Sequence, residues 1–375
     1  MALRTTRRVS LFRTAIGEDA VDAAAAVLRS GWIGSGPIVE QFESEFASAV
    51  QAPHCLAVSS GTAALHLGLT VLDLEPGTEV ITTPLTWLST HHVILYQGCV
   101  PVLADLDPAT GNLDPASVAE RISDRTAAIL AVHYGGYPCD LDALRAIAAD
   151  ADVPLVEDCA HAVGASYRRR PIGSSYNLQC FSFSPTKNLT CADGGAIVTG
   201  DAEQADRLRR LRSLGIDRTA AVRVRENGWP YRDRHEILEA GFRYEMNELH
   251  AAIGLAQLPR LEAENARRRD IAAAYRAELA DAPGLQLLAP DSAERRSSQH
   301  LFAVLADDRE RLADGLQSRG IEAGVHYPVN ELLRTPRGDL PVMDAFARRT
   351  LSLPLHPSLD DADVAAVVAA VREGW

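Results

Sequence analysis

Between residues 55 and 200 the chain alternates short apolar runs with stretches of helical spacing. The runs at 55–59, 79–83, 100–106, 127–133 and 153–157 are rich in Val, Ile, Leu and Ala, the composition of strands buried on both faces. Between them, 62–72, 87–96, 115–122 and 140–150 space their apolar residues as helices do. This alternation predicts an α/β layer fold around a mostly parallel sheet. Two further runs, 178–183 and 196–199, follow without a long helix between them, a hairpin-like addition that brings the sheet to seven strands.

A long helical pattern starts near Met246, with Asn247 as its cap and Pro259 placed to kink or divide it. Beyond Pro283 the pattern is mixed: a strand at 300–306, a helix at 308–319 and a last helix from Asp360. The expected fold class is α/β, with a large domain over 15–250 whose mostly parallel seven-stranded sheet is flanked by helices. A smaller α+β domain follows over 251–375. A helix at about 18–30 precedes the first strand, and residues 1–30 are expected to pack with the smaller domain.

At 375 residues the chain is more than twice the roughly 150 of one domain, in keeping with two cores. Acidic residues outnumber basic ones 50 to 37, and no long basic run relieves the net charge of -13. That argues against a nucleic-acid partner or an anionic membrane surface. Cys55, Cys99, Cys139, Cys159, Cys180 and Cys191 include no C-x-x-C pair and read as buried thiols of a reducing compartment, and the eleven histidines lack metal-ligand spacing, so no metal site is expected. Arg4, Arg7, Arg8 and Arg13 make a basic amino terminus. Glu18, Asp19 and Asp22 break the apolar stretch behind them, which is too short for a signal peptide or membrane span. A cytoplasmic protein is expected.

Gly31, Gly34 and Gly36 do not fall into G-x-G-x-x-G, and P-loop, H-E-x-x-H and G-x-S-x-G motifs are absent. What remains stands where strands end. Ser60-Gly61-Thr62 opens a helix directly after the 55–59 strand. Free amides and the helix dipole bind a phosphate there, with the Thr62 hydroxyl adding a bond; the same residues also make an ordinary cap. Asp158 lies at the carboxyl end of a strand, where open α/β sheets bind ligands, and either caps a helix or keeps a heteroaromatic nitrogen protonated. Lys187 stands in "FSFSPTKN", ahead of Gly194 and Gly195. Desolvated, it is a Schiff-base nucleophile; solvated, it is an ordinary lysine. Trp87 follows another strand end and is either core or a plate against a cofactor ring.

In this order a phosphate turn, an aromatic plate, an aspartate and an imine lysine are the parts that pyridoxal phosphate requires. The runs "GWIGSGPIVEQFESEFA", "SSGTAALHLGL", "VEDCAHAVGA", "FSFSPTKNL", "DGGAIVT", "ELHAAIGLAQL", "HYP" at 326–328 and "SLPLHPSL" cover nearly the whole chain. Through them it resembles the DegT/DnrJ/EryC1/StrS sugar aminotransferases, within the fold-type I, aspartate aminotransferase-like enzymes. The resemblance implies pyridoxal 5'-phosphate as cofactor, with Lys187 as its Schiff-base lysine and Asp158 at the pyridine nitrogen. It implies Trp87 stacked on the ring, His161 near the phenolic oxygen, and Gly61, Thr62 and Ser182 around the phosphate. It also implies a homodimer in which Gly241-Phe242-Arg243-Tyr244 reaches the neighbouring subunit's phosphate. Arg243 stands where the family often has asparagine, and either grips that phosphate or pairs with Glu245 or Glu248.

The reaction implied is transfer of an amino group from glutamate to a keto-deoxysugar or keto-pentose linked to dTDP or UDP. "GWIGSGP", "VHYGGYPCD" and "EDCAHAVG" look like members acting at C4. C3-acting relatives are expected to carry glutamine in place of His161 and "HLYG" at 133–136. Arg168, Arg169 and Arg170 are either ligands for the diphosphate or a solvated basic loop. A C3 keto sugar or a keto-cyclitol is the alternative acceptor. Lys187 opposes the family's dehydratase variant, which has histidine there, and a non-catalytic scaffold would have lost cofactor residues that this chain keeps.

Overall fold

The computed structural model describes residues 8–216, 237–330 and 339–373, so Arg4 and Arg7 lie outside it. Two helices come first, α1 (Glu18–Ser30) and α2 (Pro37–Val50). The second was not anticipated, although Val39, Phe42, Phe46 and Val50 recur at helix spacing and are all buried. Then β1 (His54–Val58), α3 (Gly61–Thr70), β2 (Glu79–Thr82), α4 (Leu88–Tyr96) and β3 (Val100–Leu103) alternate. The rhythm continues through α5 (Pro115–Arg121), β4 (Thr126–Val132), α6 (Leu141–Asp150) and β5 (Leu155–Asp158). A small hairpin, β6 (Ser166–Tyr167) and β7 (Arg170–Pro171), precedes β8 (Leu178–Ser182), β9 (Gly195–Thr199) and α7 (Ala202–Leu211).

The sheet has seven strands in the order β1-β9-β8-β5-β4-β2-β3. Strands β3, β2, β4, β5 and β8 are parallel, and β9 runs antiparallel between β8 and β1, which is the expected hairpin-like addition. Because β9 reverses twice over, β1 is parallel to β8, and the carboxyl ends of β1, β2, β4, β5 and β8 share one edge. Edge-to-face rings lock one sheet face to α2: Phe42 meets Phe183 at 5.4 Å and Phe46 meets Phe181 at 5.2 Å. On such buried rings a truncation to alanine costs about 3–5 kcal/mol.

Asn247 caps α8 (Glu248–Gln257) by accepting the His250 amide at 2.9 Å, and Pro259 sits in the tight turn that separates it from α9 (Leu261–Leu279). The chain then adds β10 (Leu285–Leu287), β11 (Arg295–Arg296), β12 (Phe302–Ala306), α10 (Arg309–Ser318), α11 (Pro341–Arg349), β13 (Thr350–Leu353) and α12 (Asp361–Arg372). Strands β10, β12 and β13 form a second sheet over a core around Tyr275 and Phe302, whereas β11 extends the β6–β7 hairpin. Helix α1 packs on α8. Among the described residues no helix is long and apolar enough to cross a membrane.

Candidate active site

The shared strand edge opens onto a cleft of about 510 Å3 lined by Gly61, Thr62, Trp87, Asp158, His161, Ser182 and Lys187. Seven residues singled out from separate stretches of sequence therefore meet at one place. Arg243 does not line the cleft of its own chain; it is exposed, on an extended segment that bridges to Ser213 and continues beside β1.

Helix α3 starts where β1 ends because the Ser60 hydroxyl accepts the Ala63 amide at 3.1 Å. The amides of Gly61 and Thr62 come before the first bonds of the helix, the property that lets helix starts hold anions. Position 61 has no room for a side chain, since a Cβ would lie 2.7 Å from that of Ser182 at the end of β8. The Thr62 hydroxyl meets that of Ser89 at 2.7 Å. Gly195 is constrained too, as a Cβ there would approach the carbonyl oxygens of Ser60 and Phe181 to 2.5 and 2.7 Å.

Asp158 closes β5. Its Oδ2 accepts from the Thr90 hydroxyl at 2.8 Å and its Oδ1 from the Ala160 amide at 3.0 Å. Burial pushes this carboxyl above its ordinary pKa, although both bonds and the nearby Lys187 pull the other way. Lys187 follows β8, and burial lowers its ammonium to about 8 against the attraction of Asp158. Of the 37 Lys and Arg residues in the chain, Lys187 is the single lysine. Arginine stays charged and forms no imine, so a lysine kept at one cleft position points to amine chemistry rather than charge. Trp87 keeps 58 % of its surface exposed and lines the cleft, so it is not a core residue.

Several lining residues were not anticipated: Phe12, Thr86, Ser89, Thr90, His300 and Tyr327. The "HYP" run marked Tyr327 without giving it a task. Its hydroxyl lies 2.9 Å from Nε2 of His161, and its ring meets Trp87 edge-on at 5.8 Å. Burial, then Lys187 and His326, holds His161 well below its ordinary pKa; burial and Lys187 bring His326 down to about 4. These imidazoles are neutral at physiological pH. Nδ1 of His161 is buried and has no partner among the described residues.

Arg168 and Arg169 form the tip of the β6–β7 hairpin at φ 47 and 65, and neither they nor Arg170 line the cleft. Arg168 pairs instead with Asp142 at 2.6 Å and Glu294 at 3.5 Å.

Behind Asp158, Glu157 anchors a buried network that sequence reading left out. Its Oε2 accepts from Gln179 at 2.7 Å and from Nε2 of His133 at 3.2 Å. The Cys139 amide donates to Nδ1 of His133 at 3.1 Å, so the ring proton sits on Nε2, facing the carboxylate. Oε1 accepts from Asn177 at 2.9 Å and Ser175 at 3.3 Å, with Arg145 at 3.5 Å. Burial opposes charge on Glu157, but the bonds from His133 and Asn177 and the attraction of Arg145 overcome it and bring the carboxyl down to about 2.

Residues 14–372 match the DegT/DnrJ/EryC1/StrS aminotransferase family. The spore coat polysaccharide biosynthesis protein SpsC of Bacillus subtilis (strain 168) is 39% identical over 374 residues, 96% of this chain and 95% of that protein. The crystal structure of AtS13 from Actinomadura melliaura is similar at a TM-score of 0.92 and 37% identity, covering 99% of this chain and 100% of that one. The sugar aminotransferase CalS13 from Micromonospora echinospora gives 0.89 and 35%, covering 97% and 99%.

Proposed function

Since the chain belongs to the DegT/DnrJ/EryC1/StrS aminotransferase family, we propose that it uses pyridoxal 5'-phosphate to move an amino group from glutamate to C4 of a nucleotide-linked keto sugar. The observation that carries this reading is the chain's one lysine, its pKa lowered to about 8, in a cleft shared with a buried carboxylate. The sugar substrate is supported by the sugar aminotransferase likeness, and C4 by His161 and the motifs around it.

The residues present fit the cofactor. The side-chain-free turn at Gly61, with Thr62 and Ser182, is a cradle for its phosphate. Trp87 offers a face for its ring, and His161 lines the same cleft as the residue proposed to meet its phenolic oxygen. Pyridoxal phosphate, when bound, supplies an electron sink for a C–H bond broken beside the amino group. Asp158, fixed by Thr90 and Ala160, holds a proton on the pyridine nitrogen, and its raised pKa is repaid once that positive partner is present. Lys187 Nζ, basic enough to accept a proton and weak enough to return it near neutral pH, carries the proton to and from the substrate carbon. Tyr327 holds the His161 ring in place.

The protein acts as a homodimer, with Arg243 reaching the phosphate of the neighbouring chain. Arg243 stays outside its own cleft, and exposed apolar Leu214, Ile237, Leu238 and Tyr96 surround its segment, as an interface requires. Incubation with glutamate and a panel of dTDP- and UDP-linked keto sugars tests the function. Mass spectrometry should detect an amino sugar and 2-oxoglutarate, and NMR should place nitrogen on C4. Nitrogen on C3 would overturn the regiochemistry, and no amino sugar from any probe would overturn the substrate class.

A further inference from the structure

Asn188 follows Lys187 directly, is buried, and has its amide fully spent. Its Nδ2 donates to the Ser298 carbonyl at 2.8 Å and to Oδ1 of Asn265 at 2.8 Å. Nδ2 of Asn265 donates in turn to the Val163 carbonyl at 3.0 Å. A main-chain carbonyl can only accept, so these two carbonyls fix which end of each amide faces which neighbour. Turning Asn188 over would set its oxygen against two other oxygens. Oδ1 of Asn188 therefore faces Nδ1 of His300 at 3.0 Å, and the proton between them belongs to His300. Burial, the neighbouring His161 and the charge on Lys187 keep His300 well below its ordinary pKa, so the ring is neutral. A neutral imidazole with its proton on Nδ1 carries a lone pair on Nε2. The ring lines the cleft, 4.2 Å from that of His161.

We propose that His300 is a substrate-binding residue whose Nε2, kept unprotonated by Asn188, accepts a hydrogen bond from a hydroxyl of the sugar. A lone pair repels carboxylate and diphosphate, the anionic ends of the two substrates, and welcomes a neutral donor. Sugar hydroxyls are the neutral donors that the proposed reaction brings to the cleft. The assignment rests on the sugar substrate proposed above, but the tautomer behind it does not.

The two parts are tested separately. Histidine-selective 15N NMR of the cofactor-free protein reads the ring tautomer, with His300 identified by the signal lost in His300→Gln. Wild type should show a protonated Nδ1 and a bare Nε2 from about pH 6 to 8, the range in which free histidine titrates. Asn188→Ala should shift the ring toward the Nε2–H form. An imidazolium or an Nε2–H ring in wild type, or an unchanged tautomer in Asn188→Ala, would overturn the assignment. Rapid mixing then follows the two half-reactions apart, with glutamate and with a dTDP-linked 4-keto-6-deoxyhexose as probes. His300→Leu should lower the sugar half about 10-fold more than the glutamate half, the size of one lost hydrogen bond. His300→Gln, which keeps an acceptor, should restore the ratio. Equal loss in both halves, or no loss, would overturn the hydroxyl contact. A wild-type protein that reacts with glutamate but with no keto sugar overturns the substrate reading, whatever the NMR shows.

Discussion

Glu157 and Asp158 are neighbours on β5, and strand geometry sends their side chains to opposite faces of the sheet. Both are buried carboxylates, and they differ in how many donors meet them. Glu157 has two or more donors on each oxygen and is driven down to about 2, whereas Asp158 has, among the described residues, one on each, from Thr90 and Ala160, and is pushed up. A carboxylate saturated by the protein is part of the scaffold. One left short of donors waits for a partner from outside, at a cost to the empty protein. Under the proposed function, the strand turns stability to one face and reactivity to the other.

The largest effect expected on the reactive face is from Lys187→Ala, which should lower amino transfer on the order of 10⁴-fold while leaving the melting temperature of the cofactor-free protein level or higher. A large drop in that temperature would assign the lysine to the scaffold. On the other face, Glu157→Gln sets an amide N–H against the donors of Gln179 and His133 and should destabilise the empty protein by about 3–5 kcal/mol, read by denaturant unfolding. Glu157 has a depressed pKa, so its contribution is present above the ordinary glutamate value of 4.5 and is lost as pH falls through about 2. The variant should therefore flatten the acid limb of stability in that window.

Asp158→Asn should cost turnover about 10²–10³-fold, yet spare the empty fold. The pKa of Asp158 is raised, so its contribution to stability is present below the ordinary aspartate value of 3.8 and is lost as pH rises through its folded pKa. At neutral pH the asparagine variant should be as stable as wild type or more so. A loss as large as that of Glu157→Gln would erase the contrast between the two faces.

The smallest effect expected is at the edge of the reactive face. Arg243→Ala should weaken cofactor retention by about 1–3 kcal/mol, the range of a charged hydrogen bond. Mixed dimers with Lys187→Ala should regain activity, because one hybrid site keeps both groups. Failure to regain it would count against sharing through this arginine.

The reactive face was far more legible in the sequence than the scaffold face. Strands buried on both sides announce themselves as apolar runs, and the residues at their ends are found by position, which is why Thr62, Asp158 and Lys187 could be named. Glu157 stands in the same run as Asp158, but its donors come from Arg145, Ser175, Asn177 and Gln179, and only folding brings these together. Thr90 and His300 escaped for the same reason, and Tyr327 stood in a marked run without a task. The two-residue strands β6, β7 and β11 exist through pairing, not through composition, and leave no periodic trace. Two signals were present and went unused. One was the helical spacing of Val39, Phe42, Phe46 and Val50, and the other was the solitary lysine among the arginines.

That lysine makes the decisive measurement a clean one. Purified protein loaded with pyridoxal phosphate is reduced with borohydride and weighed intact, alongside Lys187→Arg. The account expects one pyridoxyl group per wild-type chain, mapped to the peptide holding Lys187, and none on the variant. An unmodified wild-type chain, or an adduct that persists in Lys187→Arg, would contradict it.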